Sequence, residues 1–426
     1  MSTLRAGFGI STITPKVGCE MAGYSNRPGP STGVHDDLHS RALVVEGGDS
    51  IWALSANELC FFTEPTVALI REQVAERTPI PAGNVFLCTV HTHSGPYDSH
   101  PEDWERPLAE LVAEAIVQAC ANRVPARIGA GRGRLDGHTI NRRFIDRPTD
   151  PGMAVLRVED LEGEVLGLVV NWNCHAVVLG YDNLLISADF PGLVSTKLEE
   201  RLDKGAVVLY VNGGTGNVNP YTSGVRAKLT GEYTIDTMVE GTHYYGTADT
   251  QPRFHIGDRG GGTFEEVKEL GRAVAEEAWK IAQTIQAGEP CRLPWVGSVR
   301  VKIRRADAPP LEERLRAYVG PQGFDTVEVM ALGVGEMALV GEPGEVFTET
   351  FVDFKRWLWQ MGFGVPMAAS YANGFFGYLV PAHAFPEGGY EVGWAQRLGL
   401  REDMQERMWK AIEKIIRNIK HELRNT

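Results

Sequence analysis

The chain has 426 residues, 43% of them hydrophobic, which is enough apolar material for a large core and excludes disorder as the main state. A formal net charge of -13 argues against nucleic acid as a partner, because a phosphate-tracking surface needs clustered Lys and Arg and none is found. The opening MSTLRAGFGISTITPKVG lacks the basic region and apolar core of an export signal, and no run of about 18 apolar residues occurs, so a cytoplasmic protein without stable membrane insertion is expected.

In chain order, RALVVEG at 41–47 reads as a strand, 64–77 as an amphipathic helix and VFLCTV at 85–90 as a second strand. A helix over 107–121 would bury Leu108, Leu111, Val112, Ala115, Ile116 and Cys120. GRGRLDG at 131–137 reads as a turn, and VLGLVVNWN at 165–173 and AVVLYVN at 206–212 as strands. Residues 213–262 show little apolar periodicity and are expected to form a long surface excursion ending in the turn-like GDRGGGTF. A helix over 263–286 follows, with Phe264, Val267, Leu270, Val274 and Ile281 on one face and Gly288 as its stop. Strands at 326–333, 337–340 and 365–370 lead to a last helix over 401–422, whose Met404, Met408, Ile412, Ile415 and Ile419 should seal a sheet face. The pattern predicts an α/β fold with a mixed β-sheet core and outer helices, in one domain over 1–426. The six cysteines have neither CxxC nor zinc-finger spacing, and most read as buried thiols. In HDDLHSR at 35–41, Arg41 or Asp37 is expected to make structural ion pairs.

Several strand-like runs end in Gly/Asn-rich turns that carry chemistry. His91 and His93 follow VFLCTV; read as extended chain, they share a face. His175 closes NWNCH, and YVNGGTGNVNP closes the strand before it. Glu342 and Glu345 follow MALV, while Asn373, Tyr378, Glu387 and Tyr390 follow VPMAAS. Two histidines and a carboxylate from separate strand ends make a ligand set used by catalytic zinc, with a position left for water. HExxH, P-loop and GxSxG signatures are absent.

These islands resemble the catalytic part of the neutral, non-lysosomal ceramidase family, zinc amidohydrolases that cut the amide of N-acylsphingosine. The resemblance rests on ITPKVGCEMAGY, HDDLHSRALVV, VHTHSGP, Asn141-Arg142, NWNCHA, PGEVF, and Asn373 through Tyr378 followed by Tyr390-Glu391. It implies Zn2+ held by His91, His175, Glu345 and Tyr378, with His93, Arg142 and Tyr390 around the scissile carbonyl. The family's Gly-Asp-Val-Ser-Pro loop reads Gly216-Asn217-Val218-Asn219-Pro220 here, and the immunoglobulin-like domain usual at the C-terminus of secreted ceramidases does not follow. The expected function is hydrolysis of a linear amide in a small acyl amide substrate; a second copy of the chain is a candidate partner. Two rivals stand beside it: a metal-dependent hydrolase of an ester, phosphoester or glycosidic substrate, and a lipid- or sugar-binding protein on the same scaffold without catalysis.

Overall fold

The computed structural model describes residues 4–144, 146–202, 205–223, 225–226, 262–308, 310–311 and 326–424. Its larger sheet has eight strands, β1 (Arg5–Thr12), β2 (His39–Gly47), β3 (Ser50–Asn57), β4 (Val85–Thr89), β5 (Val124–Arg134), β6 (Gly152–Asp160), β7 (Val165–Trp172) and β8 (Val207–Asn212). They lie in the order β8-β7-β6-β5-β1-β2-β3-β4. A four-stranded sheet contains β9 (Trp295–Lys302), β10 (Thr326–Val334), β11 (Met337–Gly341) and β12 (Val365–Ala369), in chain order. The mixed β-sheet core with outer helices is as the sequence predicts, with its strands divided between these two sheets.

The sheets pack face to face. Trp52, Phe86 and Leu209 of the first meet Met330, Leu339 and Met367 of the second in one buried cluster, and Trp52 Nε1 donates to the Gly333 carbonyl at 3.3 Å. Burying side chains of this size contributes about 1.5–3 kcal/mol each. Outside the larger sheet pack α1 (Glu64–Arg77), α2 (Leu108–Ala121), α3 (Asp189–Leu202) and α4 (Phe264–Thr284). The smaller sheet is covered by α5 (Thr348–Gln360), α6 (Tyr390–Arg397) and α7 (Met404–Arg424). As expected, α7 turns Met404, Met408, Ile412, Ile415 and Ile419 inward. Helix α2 buries the predicted residues except Leu111, which is half-buried.

Two details differ from the sequence reading. GRGR belongs to β5, not to a turn: Cβ atoms at Gly129 and Gly133 would come within 2.5 and 2.7 Å of Ile285 and Ile281, so glycine lets the end of α4 lie on the strand. The stretch expected as a surface excursion begins inside the protein, with residues 213–220 all buried; residues 227–261 lie outside the described residues. The ion pairs expected at Arg41 are present, to Glu58 at 2.5 Å and Glu199 at 2.8 Å. No helix among the described residues is long and apolar enough to cross a membrane.

Three neighbouring pairs are parallel: β3 with β4, β7 with β8, and β11 with β12. Parallel neighbours need a crossover, supplied here by α1, α3 and α5. Every such strand then points its carboxyl end the same way as its partner, and the polar turns beyond those ends can converge.

Candidate metal centre and active site

Five of these strand ends build the site. Beyond β4 come His91 and His93; beyond β7, His175; beyond β8, the GGTGNVNP turn; beyond β11, Glu345; beyond β12, Tyr371 to Tyr378. Two short ladders lock the turns together. Glu345 pairs in parallel register with Tyr378, and Val218–Pro220 pairs antiparallel with Thr139–Asn141, which carries Arg142 to the site. Glycine is required at Gly216, where a Cβ would lie 2.5 Å from the Glu345 carbonyl oxygen.

The histidines do not reach the centre as neighbours on an extended strand. β4 ends at Thr89, and His91 has φ 65, a left-handed conformation uncommon outside glycine. That turn aims its ring inward: His93 Nε2 lies 3.1 Å from His91 Nε2, and the His91 and His175 ring centroids are 4.9 Å apart. Tyr371 and Asn373, across the site, also have positive φ, so local backbone strain gathers here.

His91 Nδ1 is 2.7 Å from the Cys60 carbonyl and His175 Nδ1 is 2.6 Å from the Thr215 carbonyl. A carbonyl only accepts, so each Nδ1 carries the hydrogen and each Nε2 presents a lone pair. Those Nε2 atoms lie 3.8 and 3.0 Å from Glu345 Oε2. His91, His175 and Glu345 each offer a ligand atom within 4.8 Å of the others, and all three are buried. Burial pushes the His91 imidazole down to about 3 despite the opposing pull of Glu345, and burial likewise holds His93 well below the ordinary histidine range. Neutral imidazoles, oriented by backbone acceptors and facing a carboxylate, fit a divalent cation.

Tyr378 lines the same cavity as His91, His93 and Glu345, as does Tyr390, whose ring meets Tyr378 edge-on at 5.6 Å. Arg142 stands behind them: fully buried, it donates from Nη2 to the Tyr378 hydroxyl at 2.9 Å and from Nε to Glu391 at 2.9 Å. The structure thus brings all seven predicted residues together, with Arg142 acting through Tyr378 from outside the cavity wall. Asn219 Oδ1 lies 3.5 Å from Arg142, and Asn217 holds α5 by accepting from Thr348 N and donating to Glu349.

Sequence reasoning missed several contributors. Tyr371 stacks on His91 at 3.9 Å, and its hydroxyl hydrogen-bonds Thr215 Oγ1, whose carbonyl orients His175; one side chain therefore supports both imidazoles. Glu391 bridges Arg142 and Arg143. Cys60 lines the cavity and forms a second candidate ligand group with His91 and His93. Cys88 and Cys174, each within three residues of a candidate histidine, are poor nucleophiles: burial pushes the Cys88 thiol up to about 12 and raises Cys174 well above its usual value. The available signal for Tyr371 was its place at the end of VPMAAS, one residue beyond the strand-like run.

The chain is similar to neutral ceramidase A of Dictyostelium discoideum, with 26% identity over 264 residues, covering 52% of this chain and 37% of that protein. It is also 26% identical over 246 residues to the neutral ceramidase of Pseudomonas aeruginosa, covering 51% and 37%. It spans little more than a third of the length of these curated relatives. The crystal structure of neutral ceramidase from Pseudomonas aeruginosa superposes with a TM-score of 0.76 at 18% identity, covering 99% of this chain and 75% of that one, which establishes the shared fold. The family model for the N-terminal part of neutral/alkaline non-lysosomal ceramidases matches residues 4–304, and the chain belongs to that family.

Proposed function

We propose that this chain is a zinc-dependent hydrolase that cleaves a linear amide bond in a small, uncharged acyl amide. The observation that carries the reading is the pair of tethered imidazoles, each with Nδ1 hydrogen-bonded to a backbone carbonyl and Nε2 turned toward Glu345. His91, His175, Glu345 and Tyr378 would hold the ion. When bound, zinc supplies a polarising charge for the carbonyl and water acidic enough to attack near neutral pH.

The remaining work falls to the chain. Arg142, fixed by Glu391, donates to the Tyr378 oxygen and would offset the negative charge that oxygen gains as a ligand. His93 is kept neutral by burial and so has one N–H to donate and one lone pair to receive a proton. His93 and Tyr390 line the cavity, where they would stabilise the oxygen on which charge develops. Phe61, Tyr97, Phe375 and Trp394 give the same cavity apolar walls, a low-polarity setting that strengthens such interactions.

A panel of N-acyl amides, matched esters, aryl phosphates and aryl glycosides, assayed on zinc-loaded protein, tests the bond type. Turnover of the amides supports the reading. Turnover confined to esters, phosphates or glycosides overturns it, and tight ligand binding without turnover of any class favours the binding-protein alternative.

A further inference from the structure

The walls of the cavity beside the ligand cluster carry a second message, about what the substrate looks like. On one side Phe61 and Phe375 stack face to face, 4.4 Å between centroids and 12° between planes, and Tyr97 meets Phe61 edge-on at 6.2 Å. Behind the wall the stack continues through the buried Tyr371 to His91, and Phe375 itself lies 6.2 Å from the His91 ring, so the aromatic side of the cavity adjoins the candidate metal ligands. Trp394 and Leu398 also line the cavity.

Size and charge then limit the occupant. The cavity measures about 120 Å³. An apolar cavity of about 150 Å³ elsewhere accepts benzene, so this one has room for roughly a single ring, and a long acyl chain would leave most of its length outside. Glu345 is the one carboxylate among the described lining residues, and none of them is Lys or Arg. With no basic side chain among the described lining residues, a carboxylate, phosphate or sulfate held against the aromatic wall and away from the ion would lose its hydration without a counter-charge, a cost that selects an uncharged group there. Face-to-face and edge-on surfaces favour a planar ring over an aliphatic chain of equal size.

We infer that the natural substrate is an uncharged amide with one ring-sized aryl group beside the scissile carbonyl, of the benzoyl or phenylacetyl class, in place of a long-chain fatty amide. This rests on the amide-hydrolase reading. In the reaction the oxygen of water bonds to the carbonyl carbon, the C–N bond breaks, and a proton leaves with the amine, giving an aryl carboxylate and a free amine.

The test compares acetyl, benzoyl, phenylacetyl, octanoyl and palmitoyl amides of methylamine on zinc-loaded protein. The aryl amides should exceed both acetyl and palmitoyl in kcat/KM by at least ten-fold, and benzoylglycine should fall at least ten-fold below benzoyl methylamide. Phe61→Leu and Phe375→Leu should lower the benzoyl-to-acetyl ratio by roughly two- to ten-fold, the worth of one aromatic contact. Calorimetric titration with acetophenone and 2-nonanone, ketones that cannot be hydrolysed, separates this inference from the bond type. If no amide is turned over but acetophenone binds at least ten-fold tighter, the aryl site stands and amide hydrolysis falls. If palmitoyl amide is turned over as well as the aryl amides, or acetophenone shows no preference over 2-nonanone, the aryl assignment is overturned.

Discussion

Replacing Glu391 with Gln removes the negative charge from between two buried guanidiniums. Glu391 Oε1 accepts from Arg142 Nε at 2.9 Å and Oε2 lies 3.6 Å from Arg143 Nε, with neither arginine side chain more than 1% exposed. Breaking a buried ion pair by removing one partner costs about 3–5 kcal/mol. Two features reduce the loss here. Arg143 retains Glu387 at 3.4 Å and the Gly388 carbonyl at 2.8 Å, and Gln keeps one acceptor oxygen for Arg142. The lower end is therefore expected, about 3 kcal/mol, read as a fall in the guanidinium chloride midpoint with the slope unchanged. Because Glu391 also holds the guanidinium that donates to Tyr378, its effect on activity should be strongly non-additive with that of Tyr378→Phe. A loss under about 1 kcal/mol, or additive losses of activity, would refute the chain of contacts from Glu391 through Arg142 to Tyr378.

Three further outcomes are expected. Gly23→Ala should lower activity while leaving the fold intact by circular dichroism: Gly23 has φ 95, and its Cβ would sit 2.3 Å from His93 Cγ, forcing the imidazole to shift. Asn217→Asp should destabilise by about 1–2 kcal/mol in denaturant titrations, because the donor to Glu349 at 2.8 Å is replaced by a second carboxylate, partly offset by the favourable charge near the start of α5. Glu342, buried beside Gln405, is pushed from 4.5 up to about 8; its contribution to stability is full below 4.5 and is lost as pH rises through 8. Glu342→Gln should therefore flatten the decline in denaturant midpoint between about pH 5 and 8, and an unchanged decline would show that another group causes it.

The site was more legible in the sequence than the fold that carries it. Each turn that carries a candidate ligand adjoins an apolar run closed by Gly or Asn, so His91, His175 and Glu345 stood out at strand ends before any packing was known. The second sheet was not legible, because residues such as Trp52, Phe86, Met330 and Met367 are apolar in any buried strand and do not announce which sheet they face. Strand β5 was hidden by glycines that serve contact with Ile281 and Ile285 and mimic a turn. The positive φ of His91 and Tyr371 also lay beyond pattern reading, since tertiary contacts hold non-glycine residues there against local preference. Helix α5 escaped because its first turn is held by Asn217, 131 residues upstream of Thr348.

The central claim is that His91, His175 and Glu345, with Tyr378, hold a catalytic zinc ion. Metal analysis of the purified wild-type chain and of folded His175→Ala, paired with amide turnover of both after zinc loading and after chelation, tests it most directly. One zinc per chain in the wild type, little in the variant, and activity that vanishes with the metal and returns with it are the predicted results. Full turnover by metal-free wild type, or a His175→Ala protein that keeps both zinc and activity, would contradict the account.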